Sequence, residues 1–237
     1  MIRLNDPERV RRQYETEAGL AVRRDAQLRF RKGPDAFDSA FEAVAEGEPR
    51  RVLEVGCGMG NFSERIARQT TAAVVAVDIS PRMVELAREH GVDARVADVQ
   101  ALPFEDGEFD CAVANAMLYH VENVEQALAE LARVLEPGGR VVATTVGRKH
   151  MHELWTLVGF RLPERPFSRE NGEAQLACHF ARVERRDVDA ALVFPDAASA
   201  RRYVESSCFG DEVSRPLPDF EGPFRSRVCA SVFVAER

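Results

Sequence analysis

The chain is nearly without lysine: Lys32 and Lys149 stand against thirty arginines. Beside its abundant alanine, this deficit reflects genome composition, and no function is drawn from it. No uninterrupted apolar run approaches the roughly 18 residues of a membrane-spanning helix. The five cysteines, Cys57, Cys111, Cys178, Cys208 and Cys229, are odd in number, scattered and never spaced as CxxC. That pattern excludes a disulfide framework and a zinc knuckle, so no metal is expected and all five are read as buried, reduced thiols. The opening MIRLNDPERV has no apolar h-region, which points to a cytoplasmic protein. Internal repeats, low-complexity tracts and long linkers are missing too.

What is present is globular. With 237 residues, 45% hydrophobic and 30% charged, the chain suits one large core or a core with an appendage. A net charge of -7 argues against nucleic acid as a partner. Residues 1 to 32 depart from that balance, with nine basic side chains against five acidic ones. The basic residues alternate with Glu and Asp as on a solvated helix face; the other reading is that this arm meets an anion.

Asp6-Pro7 reads as a helix start, with a cap followed by proline in the first turn, and the helix runs past Val10, Tyr14, Ala18 and Ala21. Gly33-Pro34 ends that pattern, and Phe37, Ala40, Phe41 and Val44 mark one face of a second helix. From Arg51 short β-rich runs alternate with helical patterns, as in βαβ units. Strands are expected at 51–55, 73–78, 94–97, 109–115 and 140–146, with helices beginning near Asn61, Pro81 and Asn123. Regularity fails for about thirty residues after Gly147, which suggests an inserted lid or substrate segment. It resumes with a strand at 179–188, a helix at 197–207 that turns Tyr203 and Val204 inward, and a strand at 227–235.

The strongest local signal is Val52-Leu53-Glu54-Val55-Gly56-Cys57-Gly58-Met59-Gly60-Asn61-Phe62, an apolar strand that enters three alternating glycines and then a helix. Glycine serves where the chain turns sharply and a ligand lies against bare backbone. A dinucleotide turn is G-x-G-x-x-G, whereas here Asn61 stands where its third glycine belongs, so a nicotinamide cofactor is disfavoured. Asp78 closes the second strand, 18 residues after Gly60, where a carboxylate can accept both ribose hydroxyls of a nucleoside. A helix cap is its alternative, although Ser80 beside Pro81 caps better.

Glu54, Gly56, Gly58 and Gly60 resemble motif I of the class I S-adenosylmethionine (SAM)-dependent methyltransferases. Asp98-Val99-Gln100-Ala101-Leu102-Pro103-Phe104 is similar to the family's D-a-x-x-L-P-F stretch, Phe109 to Asn115 to its fourth strand, and Pro137-Gly138-Gly139 to its turn before strand five. The resemblance covers residues 50 to 146 and is closest to the type 11-like, small-molecule acceptor group. It implies a Rossmann-like α/β fold, a seven-stranded, mostly parallel sheet with an antiparallel last strand and helices on both faces. One domain is expected, with 1–49 a helical cap, 50–146 the SAM-binding half, 147–178 the lid and 179–237 the closing strands and helix.

By the same resemblance Glu54, Gly56, Cys57, Gly58 and Asn115 surround SAM, Ile79 packs on its adenine with Met83 lining the same pocket, and Asp98 and Val99 meet the adenine edge. Tyr14 is read either as a contact to the SAM methionine group or as a core anchor. His120, leaving the fourth strand, is the candidate general base, with ordering of the turn as its other reading. His150, His152 and His179 are read either as acceptor contacts or as surface and packing residues, and Tyr119 as a contact to cofactor or acceptor.

The activity implied is in-line transfer of the sulfonium methyl to an O, N or C nucleophile of a small metabolite, acidic acceptors included. Oligomeric state stays open. No Asn/Asp-Pro-Pro-Tyr follows the fourth strand, which disfavours methylation of nucleobases, and no nucleic-acid or membrane partner is expected. The rival readings are a noncatalytic SAM-binding scaffold and a nicotinamide-dependent oxidoreductase.

Overall fold

The computed structural model describes residues 4–207, 209–213 and 215–237; Cys208 and Arg3 lie outside them. The chain opens with α1 (Pro7–Gln13), whose first turn is capped by the Asp6 carboxylate accepting from the Arg9 N–H, and α2 (Ala18–Phe30). The sequence reads these as one helix, but tertiary contacts interrupt it. The Ser80 hydroxyl donates to the Tyr14 carbonyl at 2.9 Å, taking an acceptor that a continuing helix would use, and Arg82 pairs with Glu17 at 3.2 Å.

Two residues, β1 (Arg31–Lys32), then join the sheet, and α3 (Ala36–Ala45) follows under the Asp35 cap. The regular part consists of β2 (Arg51–Val55), α4 (Asn61–Gln69), β3 (Ala73–Asp78), α5 (Pro81–Glu89), β4 (Asp93–Val96), β5 (Phe109–Asn115), α6 (Val124–Val134) and β6 (Leu135–Val146). Helices α7 (His152–Leu157) and α8 (Gly172–Leu176), strand β7 (Arg182–Phe194), helix α9 (Ala197–Glu205) and strand β8 (Phe224–Glu236) complete it.

All strands form one sheet in the order β1-β7-β8-β6-β5-β2-β3-β4. Strands β2 to β6 pair in parallel, while β8 runs antiparallel between β6 and β7. The expected seven strands become eight because β1 pairs antiparallel with β7, Arg31 opposite Leu192. Two residues carry no readable alternation, so only the neighbouring strand makes them β. Strand β7 begins three residues after the expected 179 and runs six past 188, and β8 extends beyond 227–235 at both ends, because the two pair continuously from Arg182–Glu236 to Phe194–Phe224. Strand β6 starts at Leu135, with Pro137-Gly138-Gly139 inside a register shift against β5.

Strand β2 alternates its side chains between two cores. Leu53 and Val55 pack with Leu128 and Leu131 of α6, and Val52 packs with Val44 of α3 and Ile66 of α4. Each such fully buried side chain contributes about 1.5–3 kcal/mol. The segment read as irregular after Gly147 holds α7 and α8, and its Leu154, Trp155 and Val158 join Leu192, Phe194 and Tyr203 in a third core. Cys57 and Cys111 are buried, but Cys178 is exposed and Cys229 half-buried, which corrects the expectation that all would be interior.

Candidate active site

Strand β2 pairs with β3 on one side and β5 on the other, so the strand order reverses at β2. Connections leave in opposite directions from such a point and open a crevice at the carboxyl ends of the strands. A cavity of about 820 Å³ lies there, with α1, α2 and the 147–178 segment contributing to its walls. That volume is within the range of small-molecule sites, roughly 300–1,000 Å³.

The glycine loop shapes the crevice. Gly58 has φ of 53° and lines the cavity, a conformation that costs a side-chain-bearing residue about 1–2 kcal/mol. Gly60 has a second reason to be glycine: a Cβ there would stand 2.8 Å from the Ala87 Cβ, so α4 could not approach α5 as it does. The loop is tied to β3 by two bonds, Cys57 N–H to the Val77 carbonyl at 3.1 Å and Gly58 N–H to Asp78 Oδ2 at 2.9 Å.

Asp78 also accepts the Ser80 N–H through Oδ1 at 2.9 Å. The Ile79 backbone N–H adds to these two donors on Asp78. Burial raises its pKa and the backbone donors oppose the rise. Ser80 caps α5 through the Met83 N–H, as expected. Ile79 is 48% exposed on the cavity wall, unusual for an isoleucine at a strand tip and suited to a flat apolar partner.

Glu54 is only 2% exposed and accepts from the Ser63 hydroxyl. Burial raises its pKa to about 8, with the Ser63 bond opposing, so the carboxyl is mostly protonated at neutral pH. Beside it in the cavity wall is Asn115, 7% exposed, whose carboxamide lies against the Glu54 carboxyl and also opposes the rise.

Of the other expected residues, Gly56, Cys57, Asp98 and Val99 line the cavity. The Asp98 carboxylate accepts the Gln100 backbone N–H at 2.9 Å and both its oxygens accept from the Gln100 side chain. Met83 is a correction: it is fully buried in α5 and lines no part of the cavity, because the helix starts with Ser80 and turns position 83 into the core. His152 is exposed and His179 sits beside Glu125, both away from the cavity, whereas His150 and Tyr119 line it.

His120 and Tyr14 meet on the wall. The Tyr14 hydroxyl lies 3.2 Å from His120 Nε2, and His120 Nδ1 lies 3.3 Å from the Leu4 carbonyl. A carbonyl only accepts, so Nδ1 carries the proton and Nε2 accepts from Tyr14. Burial lowers the His120 pKa to about 4, and Arg23 and Arg165 push the same way. His150 is likewise held near 3 by burial and by Arg165 and Arg169. Reading by residue missed Ser63, which donates to Glu54, and Gln100, which donates to Asp98. A serine on the buried face of α4 between Phe62 and Ile66 was the available sign of the first.

A family model described as a methyltransferase domain matches residues 53–143. The malonyl-[acyl-carrier protein] O-methyltransferase of Pseudescherichia vulneris is 32% identical over 173 residues, covering 71% of this chain and 68% of that protein. The chain belongs to the SAM-dependent methyltransferases. The ubiquinone biosynthesis O-methyltransferase of Xanthomonas oryzae pv. oryzae is 42% identical over 105 residues, which span 41% of this chain and 44% of that relative. A solved Thermotoga maritima structure, described as a SAM-dependent methyltransferase and possible histamine N-methyltransferase, aligns over 94% of both chains with a TM-score of 0.58 and 25% identity. The methyltransferase therefore uses SAM as its cofactor, and no helix among its described residues is long and apolar enough to cross a membrane.

Proposed function

We propose that this methyltransferase binds SAM in the crevice between β2, β3 and β5 and methylates a small-molecule acceptor held between α2 and the 147–178 segment. The observation that carries the reading is a convergence on one cavity wall at the β2 reversal: the glycine loop, the Asp78 carboxylate at the tip of β3, the exposed Ile79 and the buried Glu54–Asn115 pair. In this reading Asp78 accepts the two ribose hydroxyls, Ile79 covers the adenine, Asp98 and Val99 meet its edge, and Glu54 and Asn115 face the methionine end. Glu54 then loses its proton as a cationic group arrives, because an adjacent positive charge favours the carboxylate.

When bound, SAM supplies a methyl group already activated on a positively charged sulfur. The chain's own work is to align an acceptor atom with that methyl and to keep water out, and alignment alone is worth about 7–11 kcal/mol in well-oriented systems. The acceptor is a small molecule, and an oxygen nucleophile is the first choice because the relatives are named for O-methylation. Residues 1–49 and 147–178 cover the site. We assign His120 to positioning: its Nε2 lone pair is engaged by Tyr14, and a pKa of about 4 makes it a weak base. It fastens Leu4 and Tyr14 to the exit of β5.

Calorimetry with SAM and with S-adenosylhomocysteine (SAH) tests the cofactor site, and absence of binding by both overturns it. Transfer of labelled methyl from SAM to a metabolite fraction separates an enzyme from a scaffold that merely holds SAM. His120→Gln lowers turnover without shifting the pH profile near neutrality; loss of a base limb in that profile would return it to catalysis.

A further inference from the structure

Two histidines, His120 and His150, line the cavity, and the fold treats them differently. His120 has both ring nitrogens engaged, by the Tyr14 hydroxyl and the Leu4 carbonyl. His150 is half-buried, its Nδ1 is enclosed, and neither of its ring nitrogens meets a hydrogen-bond partner among the described residues. The ring is neutral at neutral pH, so it holds one N–H and one lone pair that the fold leaves unused. Buried polar groups are nearly always paired in folded proteins, and an unpaired ring on a cavity wall calls for a partner that the chain does not supply.

The backbone fixes where this ring stands. Strand β6 ends at Val146, and the segment after it is tied to β8 at two points, by the Gly147 N–H to the Cys229 carbonyl at 2.9 Å and by the Met151 N–H to the Arg227 carbonyl at 2.8 Å. Between them the His150 N–H donates to the Gly147 carbonyl at 3.1 Å and closes a turn. Met151 then takes φ of 57°, left-handed backbone that a side-chain-bearing residue seldom adopts and that gathers at functional sites. Its side chain is buried in the third core, so His150 leaves a segment pinned on both sides.

In the sheet, Asn115 of β5 lies opposite Thr144 of β6, and Val146 of β6 lies opposite Ala230 of β8. His150 therefore stands at the β6–β8 end of the cavity, with β5 between it and the strands that carry Glu54 and Asp78. At about 4.8 Å between neighbouring strands, β6 lies about 14 Å from β3, which leaves room for a second molecule beside the cofactor. The walls at this end are apolar. Met151, Trp155, Phe209 and Val228 line the cavity and belong to the third core, with Trp155 and Phe209 meeting edge to face at 5.8 Å between centroids.

We propose that His150 receives a hydroxyl group of the acceptor, which carries that hydroxyl on an aromatic or otherwise apolar body seated against Trp155 and Phe209. This rests on the reading of the cavity as a SAM site with an acceptor chamber beside it. Because Nδ1 is enclosed, Nε2 at the tip of the ring is the atom that meets the hydroxyl. A hydroxyl both donates and accepts, so it serves whichever tautomer the neutral ring adopts, whereas a ketone or an ether serves only one. An apolar molecule without the group leaves the ring unpaired, and that mismatch is the basis of selection.

The test uses the full chain loaded with SAH, whose binding is measured first; failure at that step overturns the cofactor site, not the role of His150 alone. Para-ethylphenol and ethylbenzene, its counterpart without the hydroxyl, are then titrated calorimetrically. The phenol binds about tenfold more tightly, as expected where a buried polar group gains its partner. His150→Phe retains SAH affinity and brings the two probes to within about twofold, while His150→Asn, which keeps a donor and an acceptor, recovers much of the preference. In the unaltered chain with isotopically labelled histidine, nuclear magnetic resonance shows the phenol moving the ring nitrogen signals of His150 and ethylbenzene leaving them in place. Equal binding of the two probes, no binding of the phenol, His150 signals that stay still, or a preference that survives His150→Phe overturns the proposal.

Discussion

The half of the molecule from β2 to β6 and the N-terminal cover made of α1 and α2 are held by different means. In the first, backbone dictates the chemistry: strand tips, a left-handed loop and helix starts place Gly58, Asp78 and Asn115 within one crevice. In the cover, α1 buries no residue and α2 buries only Ala26, while Leu28 is 73% exposed. Its placement depends on side chains reaching other segments, such as Ser80 to Tyr14 and Arg23 to Ser206. The difference teaches that one half is built to hold a constant ligand and the other to be varied or moved.

The largest expected effect lies on the rigid side. Asp78→Ala removes two charge-assisted bonds of about 1.5–3 kcal/mol each and weakens SAH binding at least about a hundredfold by calorimetry. Unchanged affinity would break the idea that strand tips carry cofactor recognition. Gly60→Ala comes next. The strained φ of 79° and the approach to Ala87 make it destabilising, by about 3 kcal/mol in urea unfolding.

Glu54 sharpens the contrast through pH. Its folded pKa, about 8, lies above its ordinary value, so its stabilising contribution is full below about pH 4.5 and is lost as pH rises through about 8. Unfolding of the unliganded chain followed between about pH 5 and 8 therefore shows a loss approaching 1.4 kcal/mol per unit that Glu54→Gln abolishes. The smallest effect belongs to the cover. Tyr14→Phe deletes the neutral hydrogen bond to His120 and a long one from the Gln13 amide, and lowers stability by about 1 kcal/mol, measured by the same unfolding. A change as large as that at Gly60 would show the cover to be as rigid as the half beneath it.

The same contrast governed what could be read from residues. Four of the five parallel strands were legible nearly to their ends, β6 starting five residues before the expected 140, as were the caps at Asp6 and Ser80, because each is written in a few consecutive side chains. Around the cavity, the glycines, Asp78, Asp98 and Asn115 follow from their place at strand ends. Met83 did not, because its facing depends on where α5 begins to wind. Neither β1 nor the break at Tyr14 has a local signal; one arises from β7 and the other from Ser80 and Arg82. Arg165 stands in a stretch with little regular structure, and only the folded chain brings it to the cavity that Arg23 also lines.

The two-residue strand β1 has a mechanical meaning. It fastens the C-terminal end of α2 to β7, whereas the N-terminal end is held by polar contacts around Tyr14 and Glu17. Such an arrangement is a leaf with one hinged edge and one latch. With Arg31 held in register against Leu192, the polar contacts at Tyr14 and Glu17 need fix only the far end of α2 to set the wall that Leu20 and Arg23 present to the cavity.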